Sequence, residues 1–387
     1  MNRPVGSPIR VMRIIARMNV GGPAVQVSGL MRGFDSDEFD HRLYTGYCAI
    51  NEADYLDTVA TDVKALRIQG FGRRISIGGD LKALLSLVKE IRSFKPHVIH
   101  THTAKAGFLG RIASIISLHP SIRVHTFHGH LLNGYFGSFK RILVVMTEKL
   151  LAMFTHQLLA VGDKVRQDLL ATGVGRLKKF SLMPPGLEIS ELPSKIDAQI
   201  SYGLSLQNLQ CAFIGRVTQI KRPDRFLDVV GEINRRGVGI EFFMAGDGEL
   251  LESCRSRIAA ERLPVKVLGW QSNIEKVLSA ADIVVLTSDN EGTPLSLIQA
   301  GMAGLPVVAT RVGSVPEVVL NDVTGMVTSL DVPAIADALE KLASNPELRR
   351  QMGASAQEFT MANYGVERLV NDHEVLYKKL IVNRAKS

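Results

Sequence analysis

The feature that most constrains this chain is a succession, run through twice, of short β-branched segments separated by longer segments with the apolar period of a helix. In the first series, residues 10–17 (RVMRIIAR), 43–47, 97–100, 123–127 and 157–161 read as strands, and residues 23–33, 81–94, 107–116 and 139–152 as helices. Strands spaced by 10–15-residue helices form βαβ units, hence a parallel sheet. Residues 183–210 interrupt the pattern with Pro, Ser, Gln and Asn and little periodicity, and read as a linker. A second series follows, with strands at 211–214, 240–245, 265–268, 283–287 and 307–310 and helices at 225–235, 249–262, 274–280, 295–302 and 335–344. Residues 366–382 close the chain as a helical pattern with a mixed charged face. Two doubly wound domains are therefore expected, facing across a cleft at their strand carboxyl ends, where such sheets bind ligands.

The chain has 387 residues, which suits two domains of ordinary size. An apolar content of 46% is too high for disorder, yet no run reaches the roughly 18 apolar residues of a membrane helix. The nearest candidate, residues 139–161, contains Lys140, Arg141, Glu148 and Lys149. Arg10, Arg13 and Arg17 cut the first apolar segment too short for a signal peptide. Three scattered cysteines, Cys48, Cys211 and Cys254, offer neither metal-ligand spacing nor an even disulfide set, so a cytoplasmic location is expected.

Charge is unevenly divided. Of the net +8, residues 1–188 carry 25 Lys+Arg against 14 Asp+Glu, while residues 189–387 carry 21 against 24. No acidic residue lies between Glu90 and Glu148, a stretch that holds Arg92, Lys95, Lys105, Arg111, Arg123, Lys140 and Arg141. The first half is built to sit near anions. Nucleic acid is disfavoured as the partner, because the chain has no recognition motif and only 6% aromatic residues.

Four segments have the residue types of a ligand site. Asn290-Glu291-Gly292-Thr293-Pro294 follows an apolar strand and opens a helix. Pro294 suits a first helical turn, whose free amides and dipole favour a diphosphate, while Glu291 supplies a hydrogen-bond acceptor. The plainer alternative is that Thr293 only caps the helix. Gly215 to Lys221 (GRVTQIK) follows the first strand of the second series, where Arg216 and Lys221 could clamp a diphosphate or be merely solvated. Asn19-Val20-Gly21-Gly22 follows the first strand of all, and its glycines admit a phosphate or sugar against bare backbone, without forming a full dinucleotide fingerprint.

Seven of the ten histidines fall between His97 and His130, six of them in HVIHTH and HTFHGH. Metal binding is disfavoured, since no acidic or thiol ligand lies nearby in sequence. His128 is the best placed to meet a substrate hydroxyl, the rest reading as loop or core histidines. The helical pattern 139–154, basic at its start and mostly apolar, fits either a membrane surface or the face of the sheet.

Taken in order, these pieces resemble the retaining family 4 glycosyltransferases of the GT-B fold. The resemblance runs through GRVTQIK (215–221), AGDGEL (245–250), LGW (268–270) and ADIVVLTSDNEGTPLSLIQAGMAGLPVVATRVGSVPEVV (281–319). The stretch THTAKAGFLGRIAS with VHTFHGH is similar to bacterial members that build surface polysaccharides. The resemblance implies an α/β chain of two Rossmann-like domains: an acceptor-side domain (1–188), a nucleotide-sugar domain (189–365) and a helix (366–387) packing back on the first.

It implies that Arg216 and Lys221 bind the donor diphosphate and that Glu291 contacts the hydroxyls of the transferred sugar. The loop Gly292, Thr293, Pro294 and Leu295 would hold phosphate and sugar, with Gly215, Gly21 and Gly22 at the donor and His128 against the sugar. The second glutamate of the family's motif is Gln299 here, which keeps one acceptor oxygen and loses the charge.

The expected activity is metal-independent, retaining transfer from a nucleotide-sugar, a UDP-sugar in the first instance, to a glycan or polyprenyl-linked acceptor, with no cofactor. An anionic membrane surface is the expected partner of the basic domain, giving a cytoplasmic protein peripheral on the inner face of the membrane. Two alternatives stand beside it: a non-hydrolysing UDP-sugar epimerase, and a catalytically weak sugar-nucleotide-binding protein, the latter motivated by Gln299.

Overall fold

The computed structural model describes residues 7–50, 52–72, 76–129 and 138–385. The chain divides into two compact units, Met1–Leu187 with Val366–Ser387, and Glu188–Gly365. Unit 1 is built on seven parallel strands: β1 (Ile9–Ile15), β2 (Phe39–Thr45), β3 (Ala65–Arg67), β4 (Val98–His102), β5 (Ile122–Phe127), β6 (Gln157–Ala160) and β7 (Phe180–Leu182). Their order is β3-β2-β1-β4-β5-β6-β7, so the direction of winding reverses between β1 and β4. Helices cover both faces, which is why β1 and β4 are apolar or buried almost throughout.

Unit 2 repeats the plan with six strands: β8 (Leu209–Ile214), β9 (Ile240–Ala245), β10 (Val265–Gly269), β11 (Ile283–Leu286), β12 (Val307–Thr310) and β13 (Gly325–Thr328). The order β10-β9-β8-β11-β12-β13 reverses between β8 and β11. Its core is lined by Phe226, Val229, Val230 and Ile233 of the helix Pro223–Arg235, closed over Phe213, Phe242 and Met244 of the sheet. Each such side chain contributes about 1.5–3 kcal/mol on burial. In open parallel sheets, ligands bind where the strand order reverses, at the carboxyl ends. Each unit therefore offers one such point.

The C-terminal helix Val366–Ala385 belongs to unit 1. Leu369, Val370 and Tyr377 are buried with Ile9, Val11 and Phe34. A Cβ on Gly33 would overlap Val370, so glycine there sets how closely this helix approaches Gly22–Gly33.

The structure departs from the sequence reading in identifiable places. Residues 183–210 are no bare linker: Lys195–Tyr202 is a helix, capped by the Ser194 side chain and ended by Gly203 at φ 62°. Gln199 Nε2 ties it to Ala280 O at 3.2 Å. Its short, half-polar pattern hid it. The strand read at 43–47 begins at Phe39, because DHR interrupts its apolar run. The edge strands β3 and β7 span three residues each, too few for a period to register. Pro346–Tyr364 is a 19-residue helix whose largely polar sequence shows little periodicity.

Candidate active site

In unit 2 the reversal point is formed by the loops that follow β8 and β11. The first carries Gly215, Arg216 and Lys221, the second Glu291. Backbone and side-chain bonds stitch them together. Asp289 N donates to Ile220 O at 2.9 Å, and Thr287 Oγ1 donates to Lys221 O at 3.1 Å and to Arg222 O at 3.0 Å. Buried Arg225 donates to Thr287 O at 2.6 Å and to Asp289 at 2.7 Å. Lys221 Nζ is thereby held 2.6 Å from Glu291 Oε1, and Ser288 Oγ donates to the same oxygen at 2.5 Å.

Glu291 is only 8% exposed, so its carboxylate is oriented by these donors rather than by solvent. Arg216 is exposed and has no ion-pair partner among the described residues, which leaves it available for an external anion. Close backbone approach completes the site. A Cβ on Gly246 would overlap Gly215 O, and one on Gly313 would overlap Glu291 O.

The helix after Glu291 is Leu295–Met302, with Pro294 as its N-cap at φ −74° and ψ 101°. Pro294 thus lies one position before the first turn in which the sequence placed it. Thr293 lies one position before that N-cap, and the Pro294 side chain makes no capping hydrogen bond. The amides of that first turn and of the loop at Gly292 are the donors an anion would meet. Gln299, one turn after Leu295, is half-buried, and its amide has no partner among the described residues.

In unit 1 the reversal point lies between β1 and β4. Gly21, at φ 155°, precedes the helix Gly22–Gly33, and its carbonyl accepts from Ala24 N at 3.1 Å and Val25 N at 3.2 Å. Val20 N bonds Ala53 O at 3.2 Å, fixing the loop from outside. His128 follows β5 and is half-buried. His102 Nδ1 lies 2.8 Å from His128 Nε2. Burial, then the charge of Arg13, pushes the His128 pKa down to about 3, so the ring is neutral at physiological pH.

The other histidines are mostly structural. His100 and His102 are fully buried with Arg13 and Tyr377, and His125 bonds Thr101 Oγ1 at 2.8 Å. His130, the last of the HTFHGH run, lies outside the described residues. Among the described residues, no group of three His, Cys, Asp or Glu side chains could hold a metal ion. The acid that ends the basic stretch, Glu148, is committed to a buried pair with Arg111, at 2.8 and 2.7 Å.

Sequence reasoning missed several residues that build this site. Ser288, Arg225, Asp289 and Gly313 orient Glu291 and Lys221, yet they lie in segments that read as strand end, helix face or loop. Only the Thr287-Ser288 pair at a strand terminus was a usable signal.

Two family models match the chain in succession. Residues 21–186 fit the glycosyl transferase 4-like domain, and residues 198–359 fit glycosyl transferases group 1. The chain belongs to the group 1 glycosyltransferases. This glycosyltransferase is 27% identical, over 86% of its own length and 87% of the relative's, to an Escherichia coli UDP-Gal:alpha-D-GlcNAc-diphosphoundecaprenol alpha-1,3-galactosyltransferase. It is 22% identical over 80% of its length, and 83% of the relative's, to the Staphylococcus aureus capsular polysaccharide biosynthesis glycosyltransferase CapM. In fold it is similar to Anabaena HepE, solved in complex with UDP and glucose. The TM-score is 0.81 at 18% identity, covering 96% of this chain and 100% of that one. These matches establish a GT-B glycosyltransferase and favour sugar transfer over epimerisation or simple binding.

Proposed function

We propose that this glycosyltransferase moves a sugar, with retention of anomeric configuration, from a UDP-sugar to a polyprenyl-diphosphate-linked glycan at an anionic membrane surface. The observation that carries the reading is the Lys221–Glu291 pair, 2.6 Å apart at the reversal point of unit 2, beside exposed Arg216 and the start of the helix Leu295–Met302. One carboxylate accepts from sugar hydroxyls, and two cations with the loop amides receive the diphosphate.

In the reaction, the bond between the sugar's anomeric carbon and the β-phosphate oxygen breaks, with its electron pair going to the phosphate. The developing charge is stabilised by Arg216, Lys221 and the amides of Gly292, Thr293 and Leu295. The acceptor hydroxyl attacks on the face from which the nucleotide leaves, and its proton passes to the departing phosphate oxygen. Gly21 and Gly22 approach the donor through backbone, and His128 contacts a hydroxyl of the sugar. With the diphosphate charge met by side chains and amides, donor binding needs no divalent cation. Transfer rates with and without a chelator test this point.

The acceptor side rests on two features of unit 1. It carries 30 Lys+Arg against 16 Asp+Glu, a balance of +14, whereas unit 2 stands at −6. Its helix Ser138–Met153 also exposes Ile142, Leu143, Met146, Leu150 and Met153, each by 57–71%, on the side opposite buried Glu148. Lys140 and Arg141 fall in its first turn. No helix among the described residues is long and apolar enough to cross a membrane. An outward apolar face beside positive charge fits a helix lying in an anionic leaflet from the cytoplasmic side.

A donor panel tests the assignment, read by nucleotide release with a polyprenyl-diphosphate-linked acceptor. UDP release that requires acceptor supports it, whereas an epimerised donor formed without acceptor contradicts it. For the membrane, Met146→Gln with Leu150→Gln is expected to weaken sedimentation with anionic vesicles while leaving donor binding intact. Unchanged sedimentation would count against the proposed face.

A further inference from the structure

Arg13 lies on β1 and is fully buried, yet no carboxylate pairs with it among the described residues. Its partners are imidazoles and a phenol. Nε donates to His41 Nε2 at 2.8 Å, and Nη1 to His102 Nε2 at 2.7 Å and His100 Nδ1 at 3.2 Å. Nη2 donates to Tyr377 Oη at 3.0 Å. A guanidinium has five N–H donors and no acceptor, so every ring nitrogen it meets must offer a lone pair. That fixes the rest of the chain of bonds.

His102 Nε2 accepts from Arg13, so the proton of this neutral ring resides on Nδ1. Nδ1 then donates to His128 Nε2 at 2.8 Å. His128 Nε2 is therefore the acceptor, and its proton sits on Nδ1. His100 agrees independently: Nδ1 accepts from Tyr377 Oη at 2.6 Å, and Nε2 donates to Thr126 Oγ1 at 2.7 Å.

We propose that Arg13 and His102 are positioning residues that lock His128 as a neutral imidazole with its proton on Nδ1, presented as a one-way donor to a hydroxyl oxygen of the transferred sugar. The inference rests on the reading of His128 as a sugar contact and deepens it. It assigns His128 donor geometry and excludes it as the proton acceptor in transfer, because its only basic nitrogen is occupied. Among the described residues, the ionisable groups that face His128 are Arg13 of β1, His100 and His102 of β4, His125 of β5 and His373 of the C-terminal helix, with Tyr377 behind them on Arg13. None of these is an acid that would hold an imidazolium in place. Burial and the Arg13 charge depress His100 and His102 along with His128, in keeping with an all-neutral set.

The full-length enzyme labelled with 15N-histidine reads the state directly, since the two ring nitrogens of a neutral histidine report which one bears the proton. The expected spectrum shows His128 neutral and Nδ1-protonated from pH 6 to 8. An Nε2-protonated or charged His128 would overturn the proposal.

Two variants probe the relay, one without and one with an acceptor for the buried arginine at position 102. His102→Phe removes the link and is expected to raise donor KM on the order of ten-fold, with a pH dependence that the parent enzyme lacks. His102→Gln retains an oxygen for Arg13 and an N–H for His128, and is expected to restore both the KM and the flat profile. Equal loss in both variants would contradict the relay. If the tautomer is as stated but His128→Ala transfers with unchanged kcat and KM, the sugar-contact reading fails and the positioning role falls with it.

Discussion

Lys221 Nζ and Ser288 Oγ converge on the same oxygen of Glu291, at 2.6 and 2.5 Å, from loops that follow different strands. Two donors on one oxygen turn the carboxylate into a fixed element of the site, and the ammonium into part of the sugar subsite as well as the phosphate subsite. The two residues should therefore behave as a unit. In a double-mutant cycle, Lys221→Ala with Glu291→Ala is expected to lower kcat no further than the worse single variant. Multiplicative losses in steady-state transfer would show that the residues act separately.

Gln299 stands where the family resemblance implies a second carboxylate, and its side chain has no partner among the described residues. Gln299→Glu restores a charge-assisted acceptor, a gain of about 1 kcal/mol, or roughly ten-fold in donor affinity. Calorimetry with a UDP-sugar checks this. Unchanged or weaker binding would show that the amide is matched to the donor this enzyme uses.

Stability should fall with acid from an unusually high pH. His41, His100, His102 and His125 are held well below their ordinary pKa of 6.5 chiefly by burial, and His128 and His373 are pushed to about 3. Between about pH 3 and 6.5 the unfolded chain binds protons that the folded chain refuses. The stability of the neutral cluster is thus complete above pH 6.5 and lost as pH falls. Each histidine contributes up to about 1.4 kcal/mol per pH unit in that window. Urea unfolding from pH 7.5 to 5.5 should show a steep decline, and a flat profile would mean that the cluster accepts protons while folded.

Arg111 and Glu148 join the helix Ala104–Ile116 to the helix Ser138–Met153, with side chains only 1% and 5% exposed. Glu148→Ala strands a buried guanidinium and should cost about 3–5 kcal/mol. Arg111→Met combined with Glu148→Leu should cost less than that single change, because neither charge is left unpaired. Denaturant midpoints decide the point, and a double variant worse than Glu148→Ala would contradict it.

The alternation of strands and helices was legible because burial on both sheet faces forces continuous apolar strands such as β11, and covering helices must be amphipathic. The candidate ligand residues were legible because loops at strand carboxyl ends are short and chemically distinctive, as in GRVTQIK and NEGTPL. What stayed hidden depends on pairing across the chain. Nothing in the sequence near Arg13 indicates that it meets Tyr377, 364 positions away, or that His102 would hand a hydrogen bond to His128. Helix Pro346–Tyr364 escaped for the opposite reason, since a polar surface helix shows little period to read.

The central claim, that Lys221 and Glu291 form the donor site of this glycosyltransferase, is tested most directly by initial transfer rates at saturating UDP-sugar. Lys221→Ala and Glu291→Ala are each expected to lose on the order of 100-fold in kcat while remaining folded. Full transfer by both variants would contradict the account.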